Sequence, residues 1–174
     1  VFVISWVNPG AEQANKSFDD YLAEGPLAAL AAIEQAIGER EVAILGYCLG
    51  GTLTACLLSW LAAKGQDRVV AATFLTTMTD FEEPGDLAVF IDDEQLGLLE
   101  EHMREKGYME ARHMQRVFSL LRANDLIWSF VVNNYLLGRE PQAFDLLYWN
   151  NDSTRMPFMM HRYYLRNMYE RNLL

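Results

Sequence analysis

Residues Val42 to Thr52 read VAILGYCLGGT, and this stretch decides the fold. An apolar run ends in a glycine, and Cys48 then stands between Gly46 and Gly50. An apolar strand that ends in Gly-x-Cys-x-Gly and runs into a helix is typical of a sharp turn that presents a nucleophile. Such a turn strains the backbone at the nucleophile. We therefore expect that a side chain at position 46 or position 50 would not fit, which would explain the glycines there.

Two further apolar runs flank this stretch and predict more strands. Val1–Val7 and Val69–Thr77 are rich in β-branched residues and carry no charge, like Val42–Gly46. Such runs predict strands buried on both faces. Helical patterns separate the three runs, so the order of elements is strand, helix, strand, helix, strand. This order predicts an α/β fold with parallel pairing through crossover helices.

The predicted helices follow the spacing of apolar residues and the usual end signals. The first follows Asp19-Asp20, is kinked or restarted at Pro26, and ends at Gly38. The second covers residues 52–63. After Asp80 the sequence becomes mostly helical, which predicts a cap inserted into the fold. The helices of this part are predicted over residues 94–106, with a cap at Asp92-Asp93, over 109–121 and over 163–173.

Two segments of the cap allow less definite predictions. Residues 130–137 fit either a helix or a strand, and Asn124-Asp125 is predicted to be a helix N-cap. Several aromatic and methionine residues are interpreted as packing of the cap, although they could also shape a substrate channel or a dimer contact. They are Tyr148, Trp149, Phe158, Met159, Met160, Tyr163 and Tyr164.

Composition excludes several classes of function. The chain has 174 residues and a formal net charge of −10, which argues against nucleic-acid binding through phosphate contacts and against a polybasic membrane patch. No apolar run has the length of about 18 residues that a membrane span needs. The two cysteines do not resemble a disulfide framework, and no Cys/His group has metal-ligand spacing, so we predict a reducing compartment and no metal site.

Cysteine at the turn indicates acyl transfer. The first turn of the following helix carries partial positive charge, which favours a thiolate, and the Leu49 backbone N–H is predicted to bind the oxyanion. A thiol that accepts an acyl group from a coenzyme A thioester forms a thioester of similar energy, so the acyl group can be passed on. Cys56 lies in the middle of the predicted helix and is interpreted as a core residue.

Several segments together resemble the polyhydroxyalkanoate synthases, in particular the class I enzymes. The segments are SWVNP at 5–9, DDY at 19–21, LGYCLGGT at 45–52, FLTTMTDF at 74–81, VFIDDEQL at 89–96, NDLIW at 124–128, NNYLLG at 133–138, FDLLYWNND at 144–152 and YYLRNMYERN at 163–172. The resemblance extends over the whole chain.

The resemblance implies a partial α/β-hydrolase core over residues 1–80 and a cap-like helical insertion over 81–174, truncated before the last strands. It implies that Cys48 is the nucleophile that holds the growing polyester as a thioester, and that the substrate is an (R)-3-hydroxyacyl-coenzyme A, typically 3-hydroxybutyryl. It also implies a homodimer in the cytoplasm at the surface of polyester granules, and no cofactor, because the coenzyme A thioester is the substrate.

The family's catalytic His and Asp follow later strands, so this chain does not supply them. His102, His113 and His161 lie in the cap-like half and are interpreted as surface or packing residues. Asp80 directly follows a predicted strand and is either a catalytic acid or a loop carboxylate that orders the junction with the cap.

The chain is interpreted as an internal part of a class I polyhydroxyalkanoate synthase, and two other interpretations stay open. The chain begins in an apolar run without an initiator Met and stops at Leu174, so we expect it to be part of a longer protein, inactive alone. A cysteine-dependent hydrolase, either a thioesterase or a polyester depolymerase, would use the same turn. A non-catalytic segment whose cap mediates dimerisation would not use Cys48 at all.

Overall fold

The computed structural model describes residues 1–141, 145, 148 and 154–174, so Phe144 and Trp149 of the sequence analysis lie outside the described residues. The chain divides into two compact units, which are described separately. The first contains Val1–Val7, Lys16–Pro84 and Met159–Leu174, and the second contains Asn8–Asn15 and Gly85–Phe158. The division predicted after residue 80 stays a prediction.

The first unit contains the predicted parallel strand pair. Strand β1 (Val42–Tyr47) is connected to strand β2 (Val69–Leu75) by the helix Leu49–Ala63. Gly46 lies opposite Phe74 in the ladder, and the register shifts between Val42 and Ala43. Parallel neighbours require such a crossover connection, because the chain must return to the starting edge of the sheet. The partial α/β core predicted from the sequence is therefore present.

The prediction of a strand at Val1–Val7 is wrong for this structure. Residues 1–10 have no regular secondary structure, and the side chains of residues 1–7 are exposed. A run of apolar residues becomes a strand only where a neighbouring strand accepts its backbone hydrogen bonds. In the part of the chain that the structure describes, no strand pairs with this segment.

The strands β1 and β2 are also less buried than their sequences predict. Of the six residues of β1 only Gly46 is buried, and β2 is exposed over most of its length. An uninterrupted apolar strand is fully buried only when both faces of its sheet are covered. In this two-stranded sheet the apolar faces remain largely open.

The first predicted helix forms in three parts. It consists of α1 (Phe18–Leu22), a π-helical turn (Ala23–Leu27) and α2 (Ala28–Ile37). Pro26 lies inside the π-helical turn, which accommodates a residue that cannot donate a backbone hydrogen bond. The Ser17 side chain caps the start of α1 by accepting a hydrogen bond from the Asp20 N–H. Gly38 ends α2 with φ of 76°.

A small hydrophobic core holds the crossover helix against α2 and the sheet. The helix α3 (Leu49–Ala63) contributes the buried Leu57 and Leu61, and α2 contributes Leu30. Ile44 and Val69 from the two strands pack against this cluster. Burial of one leucine side chain stabilises the fold by about 1.5–3 kcal/mol. This core fixes where α3 begins, and so where Cys48 lies.

The second unit is mostly helical, as predicted. It contains a 3₁₀ helix (Gly85–Phe90), α4 (Asp93–Lys106), α5 (Ala111–Leu121) and two π-helical segments (Asn124–Trp128 and Val131–Leu136). The Asp92 side chain caps α4 by accepting from the Gln95 N–H. Two short strands, β3 (Tyr108–Met109) and β4 (Met156–Pro157), pair antiparallel, and the sequence did not predict them.

The predicted N-cap at Asn124-Asp125 is wrong. Ala123 precedes this pair in right-handed helical conformation and makes no side-chain cap. The Asp125 carboxylate instead accepts hydrogen bonds from the Arg122 guanidinium. A cap needs extended backbone at the capping position, and here the helical path continues through it.

The chain ends in a further helical run, which belongs to the first unit from Met159 onward. Helix α6 (Phe158–Tyr163) continues as a π-helical segment (Tyr164–Glu170), in agreement with the helix predicted over 163–173. Among the residues that the structure describes, no helix is both long and apolar enough to cross a membrane.

Candidate active site

Cys48 lies on a sharp turn between β1 and α3. Its backbone has φ of 49° and ψ of −123°, a conformation that residues other than glycine rarely adopt. The Cys48 N–H donates to the Leu75 carbonyl at 2.9 Å, and its own carbonyl accepts from the Gly51 N–H at 2.9 Å. These bonds hold the strained residue between the end of β2 and the first turn of α3. The side chain is exposed, as a nucleophile requires.

Two glycines, Gly46 and Gly51, permit this turn. The sequence predicted this requirement for Gly46 and Gly50. A Cβ atom on Gly46 would lie 2.5 Å from the Gly51 Cα, and a Cβ on Gly51 would lie 1.9 Å from the Thr77 Oγ1. A Cβ on Gly50 would meet nothing within 4 Å. The prediction that Gly50 must lack a side chain is therefore wrong, because position 50 points into open space while position 51 faces Thr77.

The sulfur of Cys48 has a hydroxyl partner. Its Sγ lies 3.2 Å from the Thr76 Oγ1, and either atom can be the donor. Thr76 follows β2 directly and also has a positive φ, 46°. A β-branched residue at positive φ is a strong outlier, so two strained residues face each other at the ends of adjacent parallel strands. Strain of this kind is concentrated at functional sites.

The backbone N–H of Leu49 is the predicted oxyanion donor, and this role stays a prediction. Leu49 is the first residue of α3, and its N–H therefore has no acceptor within the helix. A donor next to the nucleophile at a helix N-terminus suits an oxygen that gains negative charge.

Thr52 anchors the start of α3 to the loop after β2. Its side chain is 1% exposed, and its Oγ1 donates to the Met78 carbonyl at 2.7 Å. Sequence reasoning did not identify Thr52, because a threonine in a helix carries no distinctive signal. The bond fixes the loop that places Thr76 beside Cys48.

Aromatic residues of the C-terminal segment pack on the same loop. The Tyr164 and Tyr169 hydroxyls lie 3.4 Å apart, and the Tyr169 hydroxyl donates to the Met78 sulfur at 3.8 Å. Phe81 packs edge-on against both rings. Burial raises the pKa of Tyr164. The hydrogen bond with Tyr169 and the nearby Cys48 raise this pKa further. Tyr164 therefore stays a neutral hydroxyl in the surroundings of Cys48.

Asp80 makes the contacts of a loop carboxylate. Its Oδ1 accepts from the Glu82 N–H at 3.0 Å and from the Asn172 Nδ2 at 2.9 Å. These two hydrogen bonds lower the pKa of Asp80. The Asn172 Oδ1 in turn accepts from the Phe81 N–H at 2.8 Å. The carboxylate is thus held ionised in a link between the loop and the end of the chain.

The three histidines lie in two places. His161 in α6 is 2% exposed, and burial lowers its pKa to about 4. His102 and His113 lie in the second unit, 3.5 Å and 4.0 Å from the Glu110 Oε2. Burial, followed by the proximity of His102, lowers the pKa of His113. Lys106 and Arg112 hold the pKa of Glu110 at about 2.

The group of His102, Glu110 and His113 could hold a metal ion, since its potential ligand atoms lie within 4.8 Å of one another. The sequence did not predict this group. The residues are separated by a helix end, a glycine turn and a short strand, and their spacing matches no common metal motif.

The chain is similar to several curated proteins over its whole length. The chain is 54% identical over 174 residues to the poly(3-hydroxyalkanoate) polymerase of Methylorubrum extorquens and covers 29% of that protein. It is 54% identical over 174 residues to a poly(3-hydroxyalkanoate) polymerase subunit of Rhizobium meliloti, and 37% over 179 residues to that of Cupriavidus necator. It covers 28% and 30% of these two proteins. All three alignments include the whole chain.

These similarities confirm the resemblance to polyhydroxyalkanoate synthases that the sequence indicated. The chain spans less than a third of the length of these curated relatives. The sequence profile of the alpha/beta hydrolase fold matches residues 1–166. Together with the parallel strand pair and the strained Cys48 turn, this match shows that the chain belongs to the alpha/beta hydrolase fold family.

Proposed function

We propose that this chain is the part of a polyhydroxyalkanoate polymerase that carries the nucleophile, Cys48. The exposed sulfur on a strained turn between β1 and α3 is the observation that carries this proposal. The similarity to named poly(3-hydroxyalkanoate) polymerases supports the choice of reaction.

In this reaction the Cys48 thiolate attacks the carbonyl carbon of an (R)-3-hydroxyacyl-coenzyme A. The carbonyl oxygen becomes an oxyanion, which the Leu49 N–H stabilises. The carbon–sulfur bond to coenzyme A then breaks, and coenzyme A leaves as its thiol after gaining a proton. Cys48 now holds the acyl group as a thioester, with little loss of group-transfer energy.

Chain growth follows when the 3-hydroxyl of an acyl group attacks the thioester of another. This step forms an oxygen ester and releases a thiol, and it needs a general base to accept the hydroxyl proton. Thr76 offers only a hydroxyl group, which is too weak a base for this step, and it is proposed to orient the Cys48 sulfur. The base and its acid partner are proposed to lie in the remainder of a longer protein, as the resemblance implies, so the 174-residue chain alone is expected to be inactive.

The substrate and setting follow from the same proposal. We expect 3-hydroxybutyryl-coenzyme A as the main substrate, with no separate cofactor. The protein is also proposed to be a homodimer in the cytoplasm, at the surface of polyester granules. No nucleic-acid partner is expected, because the net charge of −10 disfavours contacts with phosphates.

The two cysteines provide a matched test in the full-length protein. We expect Cys48→Ala to lose polymer formation from 3-hydroxybutyryl-coenzyme A by a factor of at least about 10³, because the proposed reaction holds the acyl chain on the Cys48 sulfur. Cys56→Ala should retain activity. Cys56 is half-buried, and burial raises the pKa of its thiol, which disfavours the reactive thiolate.

Product analysis separates the remaining alternatives. Insoluble polyester together with released coenzyme A supports the polymerase. Free 3-hydroxybutyrate without polymer would indicate a cysteine-dependent hydrolase. Full activity of Cys48→Ala would show that Cys48 does not carry the acyl group, and would favour a non-catalytic segment whose role is dimerisation.

A further inference from the structure

Three potential metal ligands of the second unit converge around the turn between α4 and α5. His102 lies near the end of α4, Glu110 directly precedes α5, and His113 lies in its first turn. Gly107 ends α4 with φ of 84°, a conformation that favours glycine, and so reverses the chain. This reversal brings residues eight and eleven positions after His102 back to its side chain.

Two histidine nitrogens in this group have unsatisfied hydrogen-bonding capacity. Among the described residues, the buried His102 Nε2 and His113 Nδ1 have no hydrogen-bond partner. Both belong to rings whose centroids lie 4.8 Å apart. A buried polar atom without a partner costs about 1–3 kcal/mol, so its presence calls for an explanation. A bound cation would satisfy both nitrogens at once.

The Glu110 carboxylate completes the set. Its Oε2 lies 3.5 Å from His102 Nε2 and 4.0 Å from His113 Nδ1. Its Oε1 is occupied by Lys106 at 2.7 Å, which leaves Oε2 as the oxygen that faces the histidines. Arg112 also contacts Oε2, at 2.9 Å, but its side chain is 61% exposed and can move into solvent.

We propose that His102, Glu110 and His113 form a binding site for a divalent transition-metal ion, with Zn²⁺ as the best fit. Two imidazole nitrogens and one carboxylate oxygen are ligands that suit Zn²⁺, which also accepts water as a fourth ligand. Bonds of about 2.0–2.2 Å to one ion would place the ligand atoms roughly 3.4 Å apart. The ligand atoms lie within 4.8 Å of one another, so they need to approach by up to about 1.4 Å on binding.

The site does not depend on the proposed polymerase activity. All three ligands belong to the second unit, whereas Cys48 belongs to the first. Bound metal would join α4 to α5 by direct bonds to His102 and His113, whose rings otherwise only pack against each other. Its expected effect is on the stability of this part of the protein.

The test uses the full-length protein, freed of metal with a chelator. Co²⁺, a spectroscopic substitute for Zn²⁺, is titrated first, and Zn²⁺ is then added to compete. We expect one equivalent of Co²⁺ to bind with the intense visible absorption of a four-coordinate complex, and Zn²⁺ to displace it. His102→Gln, Glu110→Gln and His113→Gln should each weaken binding about 100-fold or more, since loss of a group that only supports a ligand already costs about 10- to 100-fold.

Two variants serve as controls. Glu105→Gln removes an exposed carboxylate of the same helix and should bind as the wild type does. Arg112→Gln removes the residue that competes for the Glu110 oxygen and should bind several-fold more tightly. Thermal unfolding is measured with and without Zn²⁺, and the metal should raise the midpoint for the wild type but not for Glu110→Gln.

The proposal is overturned if the wild type binds no Co²⁺ in four-coordinate form. It is equally overturned if the three ligand variants bind the ion as well as Glu105→Gln does, because the ion would then lie elsewhere. Circular dichroism of each variant shows whether it is folded. A ligand variant that is misfolded is replaced by His113→Asn, which retains a polar side chain, and undiminished Co²⁺ binding by that variant would also exclude the site.

Discussion

Cys48 and Thr76 have positive φ angles of 49° and 46° at the ends of two adjacent parallel strands. Each such residue costs about 1–3 kcal/mol and persists only where surrounding contacts determine its conformation. Here the contacts are the Cys48 N–H bond to Leu75 and the Thr52 bond to Met78. Contacts with the sheet and the helix therefore hold the conformation of Cys48, which cysteine does not favour by itself.

The three glycines around Cys48 are expected to differ in how much stability an alanine substitution costs. Gly46→Ala and Gly51→Ala should each destabilise the protein by about 1–3 kcal/mol, because the new Cβ overlaps backbone at Gly51 or the Thr77 side chain. Gly50→Ala should be neutral or stabilising by up to about 1 kcal/mol, since alanine favours helix and the site is open. Urea denaturation of the three variants checks this order, and equal midpoints for all three would contradict it.

At the scale of elements, Asn172 connects the loop after β2 to the end of the helical C-terminal segment. Its side chain accepts from the Phe81 N–H and donates to Asp80, and its own φ is 50°. Asparagine tolerates this conformation better than most residues. Asn172 thus provides the link through its side chain and the turn through its backbone.

Two substitutions of Asn172 separate these contributions. Asn172→Gly keeps the left-handed backbone accessible but removes the hydrogen bonds, and we expect a loss of about 1–2 kcal/mol in the free energy of unfolding. Asn172→Ala should cost roughly 1 kcal/mol more, because alanine is strained at positive φ. Denaturant unfolding gives both values. If the alanine variant is the more stable one, the left-handed conformation at residue 172 is not required.

The strand predicted at Val1–Val7 illustrates what a sequence pattern leaves out. The same kind of apolar run forms β1 at Val42–Tyr47, where β2 accepts its hydrogen bonds, and forms no strand at 1–7. Composition indicates which residues favour extended backbone, whereas pairing depends on a second segment. Helix predictions held better because their hydrogen bonds are local, as in α4 with its Asp92 cap.

At the scale of the whole molecule, His161 makes stability depend on pH. Burial lowers its pKa to about 4 in the folded protein, while the ordinary value of 6.5 applies when the chain unfolds. The unfolded state therefore binds more protons below pH 6.5, and the folded state loses stability as the pH falls from about 6.5 to about 4. Over this window the difference amounts to about 3 kcal/mol, and little further loss from His161 is expected below it.

Unfolding free energies measured by urea between pH 4 and 7 check this expectation. His161→Gln, which does not titrate, should show a flatter dependence in the same range than the wild type. His102→Gln serves as a comparison in a different part of the chain, and it should retain the contribution of His161. A wild-type profile no steeper than that of His161→Gln would show that His161 does not titrate on unfolding.

Local features could be predicted from the residues alone: the parallel strand pair with its crossover helix, most helix ends, and Cys48 at the turn between them. These depend on neighbouring residues and on apolar spacing, which a single chain displays directly. Three features depend on how the chain packs: Gly51 rather than Gly50 is sterically required, Thr76 lies beside the sulfur, and His102, Glu110 and His113 meet. Each of these facts is a distance between segments far apart along the chain or across a turn. Such distances are set by how the elements pack, and the residue pattern of one segment does not contain them.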